Sequence, residues 1–333
     1  MPELPLTVLT HRVFPETLSM LAGQTKILAN DTDASLSPDQ ILDRCRAADA
    51  VMAFMPDSIG DDFLAACPKL KIVACALKGY DNFDVRACTR HKVWVTVVDD
   101  LLTVPTAELA IGLTIGLSRH VFIGDADVRT GRYSGWRPTL YGTGLSGRII
   151  GIVGMGKVGR AIAKRLKGFD ANLLYADKRQ LDAITASSLR LKHAGFEELM
   201  CRADYVVLAL PLTRETRHLI DETSLGMMKQ GAFLINPARG SLVDEEAVAA
   251  ALADDRLAGY AADVFSFEDW AQADRPRTIP DRLLAQSDRT LFTPHLGSAV
   301  TEVRKAIEAE AATSILQALQ GNQPMGAVNR FDS

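Results

Sequence analysis

The sequence has no long apolar run, no basic block and no paired cysteines, and each of these gaps removes a class of protein. Its most apolar stretch, Leu109 to Leu117, falls well short of the about 20 apolar residues a bilayer-spanning helix needs. Lys and Arg number 37 against 41 Asp and Glu, a net charge of −4, so the phosphate-neutralising surface of a nucleic-acid binder is missing. The five cysteines, Cys45, Cys67, Cys75, Cys88 and Cys201, include no C-x-x-C pair, and four lie near apolar runs. They read as thiols of a reducing compartment, not as a disulfide frame or a zinc site, and no metal centre is expected. Met1-Pro2-Glu3-Leu4 lacks the basic start and apolar core of a signal peptide, so a cytoplasmic location is expected, with no membrane partner. Low-complexity tracts are missing as well.

What is present is an ordinary globular balance: 47% hydrophobic and 23% charged residues over 333 positions. At about 100–200 residues per domain, that length argues for two domains. Short strand-like runs alternate with helical segments in two blocks. In the first block the strands are Leu6–Leu9, Val51–Phe54, Ile72–Cys75 and Val93–Val98, with a helix start at Ser37-Pro38-Asp39 marked by a cap residue and a first-turn proline. In the second they are Ile149–Val153, Asn172–Tyr175, Tyr205–Leu208, Ala232–Asn236, Gly259–Asp263 and Thr290–Phe292. Such alternation predicts an α/β protein with two doubly wound, Rossmann-like parallel sheets covered on both faces.

Between the blocks, Thr103-Val104-Pro105 opens a helical stretch expected to reach about Gly131. Its first half is apolar nearly all round, with Gly112 and Gly116 permitting close approach, so it must be covered on every side. An interdomain core helix and a subunit interface both satisfy that demand. A last helix is expected over Thr301–Leu319.

The chemistry starts at Gly151-Ile152-Val153-Gly154-Met155-Gly156-Lys157-Val158-Gly159, a strand running into G-x-G-x-x-G and a helix. Gly154 makes the tight turn, Gly156 lets backbone approach a diphosphate, and Gly159 lets the helix pack on the strand. The helix N-terminus then faces the phosphates. Asp177 ends the next strand about 20 residues on, where an adenosine ribose is held. That acid favours NAD over a 2′-phosphate, although Lys178 and Arg179 follow at once and tolerance of NADP is expected.

Three further strand ends carry Arg239, Glu268 and His295, within the segments Asn236-Pro237-Ala238-Arg239-Gly240, Phe265-Ser266-Phe267-Glu268 and Thr293-Pro294-His295-Leu296-Gly297. Singly, each has a plain reading: a surface arginine, a solvated loop acid, a hydrogen-bonded core histidine. Together, at successive carboxyl ends of a sheet that holds a dinucleotide, they read as an anion fork, a tautomer-fixing carboxylate and a proton-exchanging imidazole.

The A-R-G-x-x-V-D and T-P-H-x-G segments resemble the D-isomer-specific 2-hydroxyacid dehydrogenase family, and the resemblance runs over nearly the whole chain. It implies catalytic Arg239, Glu268 and His295 and a homodimer. It also implies a discontinuous substrate domain (1–103 plus 299–333) with the NAD-binding domain (104–298) inserted. Thr106, Lys157, Val158, Lys178, Pro211, Pro237, Ala238 and Asp263 join the cofactor contacts by the same resemblance. One departure is visible: Asp269-Trp270 follows the glutamate where the family commonly has proline, so the loop is expected to be reshaped.

Within the family, Met52–Asp57, Ala76–Asp84, Gly135–Gly144 and Gly297–Val300 leading to Arg304 are similar to the phosphite-oxidising members. This likeness implies phosphite as the small-molecule substrate, bound by Lys78, Gly79, Arg239, Met55, Trp136, Tyr141, Ser298 and Arg304. By residue type alone, Lys78 is a turn lysine and Arg304 a helix-surface arginine. The alternatives are a dehydrogenase or reductase for glyoxylate, hydroxypyruvate or another 2-hydroxy acid, and a non-catalytic NAD sensor of the corepressor kind.

Overall fold

A computed structural model describes residues 3–98, 100–272 and 274–331; the Met1-Pro2 start lies outside the described residues. The chain forms two compact units. The first comprises Met1–Leu102, Trp270–Ala273 and Ala299–Ser333, and the second Thr103–Asp269 and Asp274–Ser298. Two boundaries differ from those expected. Thr103 starts a helix whose apolar side packs in the second unit, and it goes with that helix. Trp270–Ala273 groups with the first unit, where Ala271 N donates to Asn82 Oδ1 at 3.1 Å.

In the first unit, β1 (Leu6–Leu9), β2 (Lys26–Leu28), β3 (Ala50–Ala53), β4 (Ile72–Cys75) and β5 (Trp94–Val97) form a parallel sheet in the order β2-β1-β3-β4-β5. Side chains alternate between two cores, as the two-residue period of a strand requires. Val8, Val51, Val73 and Val95 face one core, while Leu9, Met52 and Ala74 face the other. The helix Thr301–Leu319 covers the second core with Ile307, Ala311 and Ile315. Ser37 caps the helix Pro38–Cys45 through a reciprocal bond pair with Gln40.

The second unit holds β6 (Ile149–Val153), β7 (Asn172–Ala176), β8 (Leu191–His193), β9 (Tyr205–Leu208), β10 (Ala232–Asn236), β11 (Leu257–Ala262) and β12 (Thr290–Phe292). Their order, β12-β11-β10-β9-β6-β7-β8, is that of a Rossmann sheet with one added edge strand, all parallel. The chain reverses direction of travel between β6 and β9, which places the glycine loop at the switch point.

Three expectations change. β2 and β8, three residues each on the sheet edges, are too short and too exposed to leave a periodic signal. The helix expected to run to about Gly131 breaks after Ser118: His120 takes φ +52°, and Val121–Arg129 continues at a 65° bend. Of its two glycines only Gly116 serves close approach, since a Cβ there would meet Leu291 Cδ2 at 2.9 Å, whereas at Gly112 nothing lies within 4 Å. Cys45, Cys67, Cys75 and Cys88 are buried thiols, and burial pushes those of Cys45 and Cys88 up to about 12. Among the described residues no single helix is long and apolar enough to cross a membrane.

Candidate functional site

The glycine loop separates structural glycines from a glycine that the fold does not need. Gly154 takes φ +97°, and a Cβ there would lie 2.4 Å from Ala209 O; one on Gly159 would lie 2.2 Å from Gly154 O. Both are required by packing. At Gly156 a Cβ would meet nothing within 4 Å, so no contact among the described residues calls for a glycine there. It caps the helix Lys157–Leu166, which starts just past the carboxyl end of β6, and the first amides of a helix lack intrahelical acceptors. Asp177, past the end of β7, accepts from Met155 N at 2.6 Å and from Arg179 N at 2.9 Å. Its carboxylate ties the loop in place and keeps lone pairs for ribose hydroxyls. Lys178 is exposed beside it. The cradle fits a dinucleotide.

Past β12 and β11, His295 Nδ1 and Glu268 Oε2 are 2.7 Å apart, each side chain about one-quarter exposed (25% and 24%). Glu268 is fixed in turn, since its Oε1 accepts from Phe265 N at 2.8 Å. With the carboxylate holding Nδ1–H, the imidazole presents Nε2 as its reactive nitrogen. Arg239, half-buried at the end of β10, donates from Nη1 to Ala238 O at 2.8 Å. Asn236, fully buried, shapes that turn by donating to Arg239 O and accepting from Ala238 N, at 2.8 and 3.1 Å. Pro237 is buried within it.

Asp263, named above as a cofactor contact, holds the histidine loop. It is 0% exposed; Oδ1 accepts from Thr293 Oγ1 and Leu296 N at 2.6 and 2.7 Å, and Oδ2 from Gly297 N at 2.8 Å. Burial pushes its carboxyl up, against the pull of these donors. His295 sits at φ +56°, a left-handed conformation unusual for a residue with a bulky ring, and its N–H donates to Asp263 O at 2.8 Å. Thr106 Oγ1 donates to Gly297 O at 3.3 Å on the far side of the same loop. The loop strain is therefore held from several directions.

Asp269, the departure after the glutamate, is 4% exposed and accepts from Ser241 N at 2.7 Å. Asn236, Thr293 and Asp269 carry no site role in the sequence reading; Asn236 and Thr293 leave only a polar residue at or just past a strand end, and Asp269 only its departure from the family's proline.

In the first unit, Lys78 and Gly79 lie in the turn after β4, with Lys78 exposed. Arg304 is not a helix-surface residue: burial pushes its guanidinium down, Nη1 donates to Ala76 O at 3.3 Å, and it stacks 5.7 Å from the Phe54 ring centroid. Met55 is half-buried against the core under β3 and β4. Trp136 and Tyr141 stand 79% and 74% exposed, so packing among the described residues leaves most of either ring uncovered. Ser298 is half-buried, Ala238 likewise, and Pro211 is exposed, its carbonyl accepting from Thr216 Oγ1 at 2.8 Å.

Comparison with known proteins agrees with this geometry. Residues 111–297 match the model of the D-isomer specific 2-hydroxyacid dehydrogenase NAD binding domain. Glyoxylate reductase of Pyrococcus horikoshii is 34% identical over 98% of this chain and 96% of its own length. The TT0316 protein of Thermus thermophilus superposes with a TM-score of 0.89 at 30% identity, covering 97% of this chain and all of that one. A glyoxylate/hydroxypyruvate reductase of Sinorhizobium meliloti, NADPH-dependent and solved with NADP and malonate, gives a TM-score of 0.81 at 25% identity over 97% and 96% of the two chains. These names point to the 2-hydroxyacid side of the family rather than to phosphite. By fold, glycine loop and relatives, the chain is an oxidoreductase of the D-isomer specific 2-hydroxyacid dehydrogenase family with an NAD(P)-binding domain.

Proposed function

We propose that the protein is a phosphite dehydrogenase, oxidising phosphite to phosphate with NAD⁺ and water. The balance is HPO₃²⁻ + NAD⁺ + H₂O giving HPO₄²⁻ + NADH + H⁺. The observation that carries this reading is the pair of cations at one strand end of the first unit. Arg304 is bonded to Ala76 O, two residues before Lys78. A 2-hydroxy acid presents one carboxylate charge, for which the Arg239 fork suffices. Phosphite is largely dianionic near neutrality, and the resemblance to the phosphite-oxidising members names Lys78 and Arg304 as the further cations.

The nicotinamide, when bound, accepts the hydride. The chain's residues do the rest. Arg239 binds substrate oxygens, Glu268 keeps the His295 proton on Nδ1, and His295 Nε2 takes a proton from the attacking water. Asp177 favours NAD, and Lys178 with Arg179 leaves room for NADP. The chain works as a homodimer, a reading supported by the exposed apolar side chains Val121, Phe122 and Val128 on the helix after the bend.

A second reading is glyoxylate reduction, which the names of the relatives favour. In that direction His295 donates a proton to the carbonyl oxygen as hydride arrives. One assay separates the readings: NADH formation with phosphite, D-lactate, D-glycerate or glycolate, beside NADH and NADPH consumption with glyoxylate or hydroxypyruvate. Phosphite is expected to win by a wide margin. Preference for any hydroxy or oxo acid hands the site to the second reading, and no turnover with any of them favours an NAD sensor.

A further inference from the structure

The turn that carries Arg239 and the turn that carries Glu268 are tied to each other twice, in opposite senses. Asp269, at the end of the glutamate turn, accepts from Ser241 N at 2.7 Å. Glu245, in the first turn of the helix that follows the arginine turn, accepts from Ser266 N at 2.7 Å. Each acid thus reaches back to a backbone amide of the other's segment, and both are 4% exposed. There is no slack between them: a Cβ on Gly240 would lie 1.9 Å from Phe265 C and 2.1 Å from Ser266 N.

Burying two carboxylates beside a third, Glu268, is a poor way to stabilise a fold. Glu245 Oε2 is buried with no hydrogen-bond partner among the described residues. Burial foremost, then the charges of Asp269 and Glu268, push the Glu245 carboxyl up to about 7, against the pull of Ser266. An apolar residue at 245 avoids that cost, yet the helix puts an acid there. What the acid achieves is register, because an amide caught by a carboxylate is fixed in distance and direction.

We propose that Asp269 and Glu245 are positioning residues for the dehydrogenase reaction, whose reciprocal carboxylate–amide bonds set the Arg239 turn against the Glu268–His295 pair. The proposal rests on the reading of Arg239, Glu268 and His295 as the reacting constellation. A protonated Glu245 still offers a carbonyl oxygen to Ser266 N, so the brace survives on either side of neutrality, and an amide in its place preserves it. Asp269→Asn and Glu245→Gln keep an acceptor of the same reach; Asp269→Ala and Glu245→Ala do not.

The test uses the full-length enzyme and whichever anion turns over in the assay above. Asp269→Ala and Glu245→Ala are expected to lower kcat about ten-fold or more and to raise the KM of the anion. NADH affinity in the same variants should stay within about twofold, since the phosphate cradle lies on other strands. Asp269→Asn and Glu245→Gln should recover most of the loss. A second readout is independent of turnover: the low-field proton resonance of His295 Nδ1–H, which should broaden or shift in the alanine variants and persist in the amide ones. Alanine variants with wild-type kcat, KM and resonance overturn the proposal, as do amide variants no better than alanine. His295→Ala is the control. If that variant turns over normally the reacting constellation is misassigned, while the resonance of the other variants in native His295 background still decides the brace.

Discussion

Each unit has a buried aspartate just past a strand end, and the two are satisfied very differently. Asp263 in the second unit places three donors on two oxygens, all from the loop that carries His295. Asp57 in the first unit takes Thr10 Oγ1 at 2.5 Å and Phe54 N at 2.7 Å, both on Oδ2. Its Oδ1 is buried with no partner among the described residues. Both carboxyls are pushed up, by burial before any other cause. The contrast follows the task. Asp263 must hold a histidine at positive φ against its own preference, whereas Asp57 closes a turn whose backbone already bonds, Asp57 N to Phe54 O at 3.0 Å. Of this pair, the acid that holds the histidine loop is the one with both oxygens bonded.

The largest effects should come from the residues this bracing serves. His295→Ala and Arg239→Ala are each expected to lower kcat/KM by about 10²–10⁴ or more while NADH still binds, which fluorescence titration checks. Retained turnover in His295→Ala moves proton exchange to another group. Next comes the brace itself. Asp263→Asn turns one acceptor into a donor, so its NH₂ faces either Gly297 N or the Thr293–Leu296 pair. An expected loss of about 2–3 kcal/mol in denaturant stability should accompany a fall in kcat. Unchanged stability and kcat would reduce Asp263 to an ordinary buried acid and dissolve the contrast.

Lys78→Ala is expected to raise the phosphite KM strongly while leaving activity toward any 2-hydroxy acid less affected, because the lost charge matters most to a dianion. Equal losses on both substrates would place Lys78 with the general machinery. Asp177→Ala should shift the NAD/NADP preference toward NADP by removing like-charge repulsion and the ribose bonds. It should also loosen the glycine loop, since Met155 N loses its acceptor. A preference that does not move separates the tie from the discrimination.

How much of this was legible in the sequence depends on who donates. The two parallel sheets, apart from the short edge strands β2 and β8, and the G-x-G-x-x-G turn are written in side-chain type and period, and the structure has them. The pairing of His295 with Glu268 follows from strand ends in a known strand order. The bonds that fix that pair are of another kind: Asp263 to Leu296 N and Gly297 N, Asp269 to Ser241 N, Glu245 to Ser266 N. Backbone amides have no letter of their own, so such acids look like surface residues until the fold brings the amide to them. The break at His120 was invisible for a related reason. A left-handed residue there usually announces itself as glycine or asparagine, and this chain uses histidine. Arg304, read from residue type as exposed, is drawn inward by the Ala76 carbonyl and the Phe54 ring, again partners with no sequence signature.

The smallest effect should belong to Asp57, and its sign is the sharpest check on the contrast. Asp57→Asn places the amide oxygen where Oδ2 now accepts from Thr10 and Phe54, and puts NH₂ where an unpartnered oxygen stands. It removes a buried charge that lies 4.0 Å from His11 Nδ1. The folded wild type binds this proton more tightly than the unfolded chain, so its stability falls as pH rises from the unfolded carboxyl value, about 4, through the raised folded one. The penalty is complete above the folded value and absent in acid. Asp57→Asn should therefore be equal to or more stable than the wild type by up to about 1 kcal/mol at neutral pH, with the difference vanishing as the pH falls below about 4. Urea denaturation at both ends of that range measures it. A loss of stability at neutral pH as large as that of Asp263→Asn would show that the unpartnered oxygen is no weakness, and that the two aspartates brace their loops equally.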